Sequence, residues 1–211
     1  MSKCLQINLE QAGKRYNRDW IFKGCSFNIP SGSKLAITGA NGSGKSTLLQ
    51  CLCGYQPLSA GQINYQIEND VIPIEQLYKY IALATPYLEL PEAYSLEEMI
   101  AFHFSLKSRK ADFDLTKVLY DSGLEAHKRK SVMYFSSGMK QRLKLLLAFG
   151  SDVPVLFLDE PTTNLDKAGI AWYNELTRSL EAYPNQSIII ASNQPYEYHC
   201  CTAELAIEHF K

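Results

Sequence analysis

The segment Gly39-Ala40-Asn41-Gly42-Ser43-Gly44-Lys45-Ser46 fits the pattern GxxxxGK[ST] at every fixed position. Glycines let a backbone approach phosphate oxygens closely. N–H groups at the start of a helix then converge on those oxygens at the positive end of the helix dipole. Lys45 adds a full charge at the β- and γ-phosphates, and the Ser46 hydroxyl can bind the Mg²⁺ that bridges them. A second chemical group stands farther along, where Asp159 and Glu160 close the apolar run Val155-Leu156-Phe157-Leu158. At the carboxyl edge of a parallel sheet, two such acids face a bound nucleotide. Asp159 is then suited to the metal. Glu160 is suited to orient and partly deprotonate an attacking water.

These groups need a sheet to carry them, and the apolar pattern supplies one. Leu35-Ala36-Ile37-Thr38 reads as a short buried strand running into the glycine-rich loop, with a helix after it that turns Leu48, Leu49 and Leu52 to one face and has Gly54 near its end. Val155–Leu158 and Ile188–Ala191 are continuous apolar runs, as expected of parallel strands covered on both sides. Tyr80–Ala84 reads as a further strand. Leu5/Ile7/Leu9, Cys25/Phe27/Ile29 and Ile63/Tyr65/Ile67 alternate with polar residues instead, the period of half-buried strands, and Pro30-Ser31-Gly32-Ser33 is a turn signal. From about Leu90 to Phe149 the pattern is mostly helical, with Leu96, Met99, Ile100 and His103 on one spacing and Leu143, Leu146 and Leu147 on another.

The chain has 211 residues, 46% hydrophobic and 20% charged, with a net charge of −1. That suits one folded domain with a sizeable core. It gives no bulk electrostatic attraction to nucleic acid, which is not expected as a partner. No run of about 18 apolar residues is present, so no membrane-spanning helix is expected. Met1-Ser2-Lys3-Cys4-Leu5-Gln6 lacks the apolar core of a signal peptide, so a cytoplasmic location is expected. Six cysteines in such a compartment read as thiols, and Cys51 and Cys53, two apart on a helix, point in different directions. Cys200-Cys201 beside His199 lacks the paired spacing of a zinc site.

Phe135-Ser136-Ser137-Gly138-Met139-Lys140-Gln141-Arg142 ends 17 residues before Asp159. It resembles the LSGGQ signature of ABC ATPases, with Phe for Leu, Ser for the first Gly and Met for Gln. Asp159-Glu160-Pro161-Thr162-Thr163-Asn164-Leu165-Asp166 resembles the Walker B segment and D-loop of the same family. The order and spacing of the motifs match the family over essentially the whole chain. The resemblance implies an α/β fold: a P-loop NTPase core of mostly parallel sheet flanked by helices, with an N-terminal antiparallel β subdomain. Residues 1–86 and 150–211 would form that core with its β subdomain, and 87–149 an inserted helical subdomain bearing the signature. It also implies ATP and Mg²⁺ as ligands and two copies facing head to tail around two ATP. A transmembrane permease subunit would receive the motor on the helical insert and Pro86-Tyr87-Leu88-Glu89-Leu90, placing the chain peripherally on the inner face of the cell membrane. The chain ends at Lys211 soon after the core, so no regulatory domain is expected behind it.

Carried over residue by residue, the nucleotide contacts are Tyr16 (stacked on adenine), Gly39, Asn41, Gly42, Ser43, Gly44, Lys45, Ser46 and Thr47. Ser136, Ser137 and Gly138 would reach the γ-phosphate of the facing copy, and Asp166 would link the two sites. Ser46 and Asp159 would hold the metal, with Glu160 and Lys45 as catalytic groups. Two family positions differ. Where a Q-loop glutamine is usual stand Thr85 and Pro86, with Glu89 farther on; where a switch histidine is usual stands Asn193. Thr85 keeps a hydroxyl for metal-bound water. Asn193 can donate a hydrogen bond but cannot carry an imidazolium charge. Hydrolysis through Glu160, slower than in histidine-bearing members, is therefore expected. His103, His127, His199 and His209 read as surface or packing residues. The competing functions are a soluble ABC-type ATPase of the repair or ribosome-associated kind, and an ATP-sensing module with weak hydrolysis. The substance moved, the direction of transport and the identity of the permease are not written in the sequence.

Overall fold

A computed structural model describes residues 4–211. Met1, Ser2 and Lys3, part of the segment read as lacking a signal peptide, lie outside the described residues. Nine strands and five α-helices occur among the described residues. An antiparallel sheet is made by β1 (Leu5–Tyr16), β2 (Asp19–Ile29), β4 (Ala60–Ile67) and β5 (Asp70–Val71), in the order β2-β1-β4-β5. A parallel sheet is made by β3 (Lys34–Thr38), β6 (Ile81–Ala84), β7 (Val155–Asp159), β8 (Ser187–Ala191) and β9 (Ala203–Ala206), in the order β6-β7-β8-β3-β9. The expected α/β architecture is the one observed, a P-loop core with an antiparallel β subdomain and helices between β6 and β7.

The pattern of side chains explains the division. β7 and β8 are buried at every position, so helices must cover both faces. The helix α1 (Lys45–Leu52) follows the glycine-rich loop and buries Leu48, Leu49 and Leu52 completely against the side of the parallel sheet that faces the antiparallel one. Its last residue is Leu52, so Cys53 caps the helix rather than lying within it as the sequence suggested. Gly54 follows with φ of 76°, the left-handed conformation that ends a helix. Burial pushes the thiols of Cys51 and Cys53 up to about 11 and that of Cys25 up to about 12.

The opposite side of the sheet is covered by α2 (Leu96–Leu106), α3 (Leu115–Asp121), α4 (Ser137–Gly150) and α5 (Lys167–Ser179). Each has a side-chain cap, from Ser95, Asp114, Ser136 and Asp166 in turn, and the Ser95 N–H donates in return to the Glu98 carboxylate. Such caps contribute about 1 kcal/mol each. Between α3 and α4 the chain is a series of short 3₁₀ turns, less helical than the sequence pattern suggested. The central strands and α4 contribute Leu143, Leu145, Leu146, Leu156 and Leu158 to this core, all fully buried. Burial of each such side chain stabilises the fold by roughly 1.5–3 kcal/mol.

The insert is stitched to the core at the end of α2. Lys107 donates to the carbonyls of Tyr78 (2.6 Å) and Ile81. His103 Nε2 lies 2.9 Å from Ser151 Oγ, just past α4. The single Ser151 hydroxyl proton goes to the Leu147 carbonyl (2.7 Å), so the imidazole N–H is the donor in this pair. Burial, and then the Lys107 charge, lower the His103 pKa from 6.5 to about 4. The unfolded chain therefore takes up this proton first, so the stability it confers is full above pH 6.5 and is lost as pH falls toward 4. His103→Gln keeps a donor for Ser151 without a titrating group. The stability advantage of the wild type over this variant should shrink by about 2 kcal/mol between pH 7 and pH 4.5. Urea midpoints at a series of pH values measure it; parallel curves for the two proteins would contradict the assignment.

Candidate functional site

The carboxyl edge of the parallel sheet gathers four loops. The glycine-rich loop follows β3, Thr85 follows β6, Glu160 follows β7 and Asn193 follows β8. Because β6 pairs with β7 as Ala84 with Leu158, Thr85 lies beside Asp159 at this edge. The ladder extends a little past the strands: Glu160 N–H donates to the Ala191 carbonyl (2.9 Å) and Ser192 N–H to the Ile37 carbonyl (3.1 Å). These bonds fix where each loop begins.

The glycine-rich loop wraps a cavity of ≈ 210 Å³ lined by Asn41, Gly42, Gly44, Lys45, Ser46, Thr47, Glu160 and, from β2, Ile21. Gly44 sits at φ of 106°, and a Cβ there would come within 2.4 Å of Ile21 Cγ2. Only glycine fits the last position before the helix. Lys45 is buried, and its ammonium donates to the carbonyls of Gly39 and Ala40, both at 3.0 Å. The Ser43 hydroxyl is buried with no hydrogen-bond partner, a donor left for a ligand. Glu208, a residue no sequence pattern singled out, accepts from the Ala40 N–H (2.8 Å) and braces the loop from the C-terminal 3₁₀ turn. That bond holds the Glu208 carboxyl below its usual range.

Ser46 donates to Asp159 Oδ1 across 3.0 Å. Burial raises the Asp159 pKa to about 6; the Ser46 bond and Lys45 oppose this, while Glu160 and Glu197 add to it. A hydroxyl and a carboxylate oxygen side by side at the root of a phosphate cradle are hard oxygen donors. They fit Mg²⁺ completed by phosphate and water better than a metal that seeks nitrogen or sulfur.

Glu160 has φ of 42°, a left-handed conformation rarely adopted by side-chain-bearing residues. Such strain persists where the surroundings enforce it. Here the Glu160 carbonyl accepts from Thr163 N–H (3.0 Å), and Thr163 Oγ1 reaches Glu160 Oε2 (3.3 Å). The next loop is also held from the signature segment. Gln141 of α4 donates to the Pro161 carbonyl (2.8 Å), and a Cβ on Gly138 would come within 2.7 Å of the Asn164 carbonyl. Gly138 therefore has an intrachain reason to be glycine besides any contact to a ligand. Ser136 spends its hydroxyl on the Met139 N–H (3.2 Å), and Ser137 opens the helix.

Asn193 donates to Asn41 Oδ1 (2.8 Å), joining the β8 loop to the phosphate cradle. Thr85 is fully buried, and its hydroxyl has no hydrogen-bond partner. Lys144 of α4 takes up the Thr85 carbonyl at 2.9 Å. Asp166 caps α5 through Gly169 N–H (2.8 Å) and pairs with Arg142 (2.6 Å). Tyr16 is exposed at the end of β1 with the Lys14 ammonium 5.1 Å from its ring centre, and it is not part of the wall of the phosphate cavity. His199 contacts the Tyr196 carbonyl and Thr177, away from the cradle. Sequence reasoning missed Glu197, whose buried carboxylate accepts from Thr162 N–H (2.9 Å) and from the Thr162 and Ser192 hydroxyls. A lone glutamate in a short turn carries no motif by which to find it.

The model of the ABC transporter family matches residues 22–163. The chain is 32% identical over 188 residues to the cytochrome c biogenesis ATP-binding export protein CcmA of Brucella abortus, covering 89% of this chain and 85% of that protein. Among solved structures it is similar to CbiO1 from Clostridium perfringens, part of an ABC transporter complex, with TM-score 0.72, 26% identity and coverage of 98% of this chain and 85% of that one. It has the fold of the dimeric ATP-binding cassette MJ0796 bound to ADP and Pi, with TM-score 0.78, 20% identity and coverage of 95% and 94%. With the family model, a close relative and the phosphate cradle in agreement, the chain belongs to the ABC transporter family as one of its ATP-binding, ATP-hydrolysing subunits.

Proposed function

We propose that two copies of this chain close around two ATP molecules and drive a membrane subunit, with residues 87–149 acting as the unit that carries the signature. The observation that carries this reading is the joining of cradle and acids. The Ser46–Asp159 bond sets the cradle against β7, and Glu160 lines the same cavity as Lys45. Gly39, Asn41, Gly42, Ser43, Gly44 and Thr47 would surround the phosphates, Lys45 exchanging two carbonyl acceptors for phosphate oxygens. Ser46 and Asp159 would hold Mg²⁺, which neutralises phosphate charge when bound. Glu160, fixed in its strained conformation, would orient the attacking water and accept its proton. Ser136, Ser137 and Gly138 of the facing copy would present a helix N-terminus to the γ-phosphate, and Tyr16 a ring to the adenine.

The relative CcmA is named as an export protein of cytochrome c biogenesis and CbiO1 as part of a transporter complex. They support coupling to a membrane partner. So does an apolar groove of ≈ 440 Å³ between the core and α2, which includes Tyr55, Ile74, Tyr78 and Leu88. Tyr55 and Tyr78 are each 62% exposed there, beside the exposed Ile74. The neighbouring segment Pro86–Leu90 carries Leu88 into this groove. No helix among the described residues is long and apolar enough to cross a membrane.

Glu160→Gln should keep ATP affinity within about twofold, lose turnover by 10²–10⁴-fold, and elute as a dimer with Mg-ATP on a sizing column. Lys45→Ala should instead lose nucleotide affinity, read by calorimetry. A Glu160→Gln protein that stays monomeric with ATP would count against the two-site sandwich.

Asn193→Ala should slow hydrolysis by about tenfold, since its amide is a γ-phosphate donor without the charge of an imidazolium. Asn193→His should raise turnover above the wild type. Steady-state phosphate release is the measurement, and equal rates for all three proteins would remove Asn193 from the mechanism.

A further inference from the structure

We infer that Glu197 is the positioning residue that holds the loop of Glu160 and the loop of Asn193 in one register. The inference rests on the catalytic reading of those two residues given above.

Glu197 lies in the 3₁₀ turn Pro195–Glu197, and only 2% of its surface is exposed. Its backbone is fixed on both sides. Its N–H donates to the Gln194 carbonyl (2.9 Å), and its carbonyl accepts from the Tyr173 hydroxyl of α5 (2.6 Å). The side chain is thereby aimed between two loops. Oε1 accepts from both the N–H and the hydroxyl of Thr162, and Oε2 accepts from the Ser192 hydroxyl. Ser192 Oγ in turn accepts from the Gln194 N–H (2.9 Å). Thr162 and Ser192 are themselves buried.

The positions of those donors give the network its meaning. Thr162 is two residues beyond Glu160, and Ser192 immediately precedes Asn193. Besides the backbone ladder bonds at Glu160 N–H and Ser192 N–H, Glu197 is, among the described residues, a side chain that bonds to both loops. Glu160 and Asn193 both line a second cavity of ≈ 240 Å³ beside the cradle, together with Asn41 and Thr163. Neither loop can shift without stretching a bond to this carboxylate. A buried acid is a costly way to fill space, and an apolar side chain would pack there without the desolvation. What the acid adds is direction: three donors from two loops converge on two oxygens that share one carbon.

The test compares steady-state Mg-ATP hydrolysis, ATP affinity and thermal midpoint for the wild type, Glu197→Gln, Ser192→Ala, Asn193→Ala and the Glu197→Gln/Asn193→Ala pair, all in the full chain. Glu197→Gln puts an N–H₂ where one oxygen accepted. It should lower kcat by about tenfold while KM and ATP affinity stay within about twofold. In the Asn193→Ala background the same change should cost less than about threefold, because part of what it positioned is gone. Ser192→Ala, which removes one arm only, should lower kcat by about threefold at unchanged KM and serves if Glu197→Gln does not fold. Unchanged kcat in both single variants overturns the inference. So does a loss of ATP affinity and thermal midpoint in parallel with kcat, or full additivity with Asn193→Ala. A wild type that binds ATP without hydrolysing it overturns the catalytic reading itself, and this inference with it.

Discussion

A carboxylate is held out of water at the foot of a cavity built for anions. Asp159 is one of the last buried residues of β7, and the Ser46 hydroxyl is its hydrogen-bonded partner across the edge of the sheet. Burial raises its pKa to about 6, with Glu160 and Glu197 adding to the rise and the Ser46 donor and Lys45 opposing it. The whole edge is organised around this tension. The backbone N–H groups of the glycine-rich loop and the Lys45 ammonium supply positive charge on one side; Asp159 and Glu160 supply negative charge on the other. The positive cradle and the acids face each other across one cavity.

The same edge is where the helical insert makes its hold on the chemistry. One helix, α4, reaches three loops at once. Gln141 binds the loop after Glu160, Lys144 binds the carbonyls of Thr85 and Pro86, and Arg142 spans from Ser122 to Asp166. The N-terminus of that helix bears Ser136, Ser137 and Gly138. Hydrogen bonds from one helix thus connect the segment that opens with Ser136 to the loops after β6 and β7. At the end of α2, Lys107 bonds to the Tyr78 carbonyl before β6, and His103 meets Ser151 just past α4.

Much of this was legible in the sequence because it is local. The phosphate cradle is a continuous segment whose residue types are dictated one by one, and the strands β3, β7 and β8 are apolar runs too pure to be anything but buried. What was not legible depends on parts of the chain far apart. Glu197 and Glu208 are ordinary surface-type residues until the fold brings Thr162 and Ala40 to them. β9, with Ala203-Glu204-Leu205-Ala206, is too short and too polar to read as a strand, and it exists because β3 offers it an edge. Gly138 looked like a ligand contact, and the structure adds the Asn164 carbonyl pressed against it. Asp166 looked like a link between copies; within one copy it caps α5 and pairs with Arg142.

The contact of Asn193 with Asn41 joins two neutral amides. Mobile electrolyte screens charges, and it has little purchase on a bond between groups that carry none. Nor does an amide gain or shed a proton in the range where imidazole does. The joint between the β8 loop and the glycine-rich loop thus offers salt no charge to screen and acidity no proton to add in that range. A cell that drifts in potassium or in proton concentration would find this particular joint unaltered.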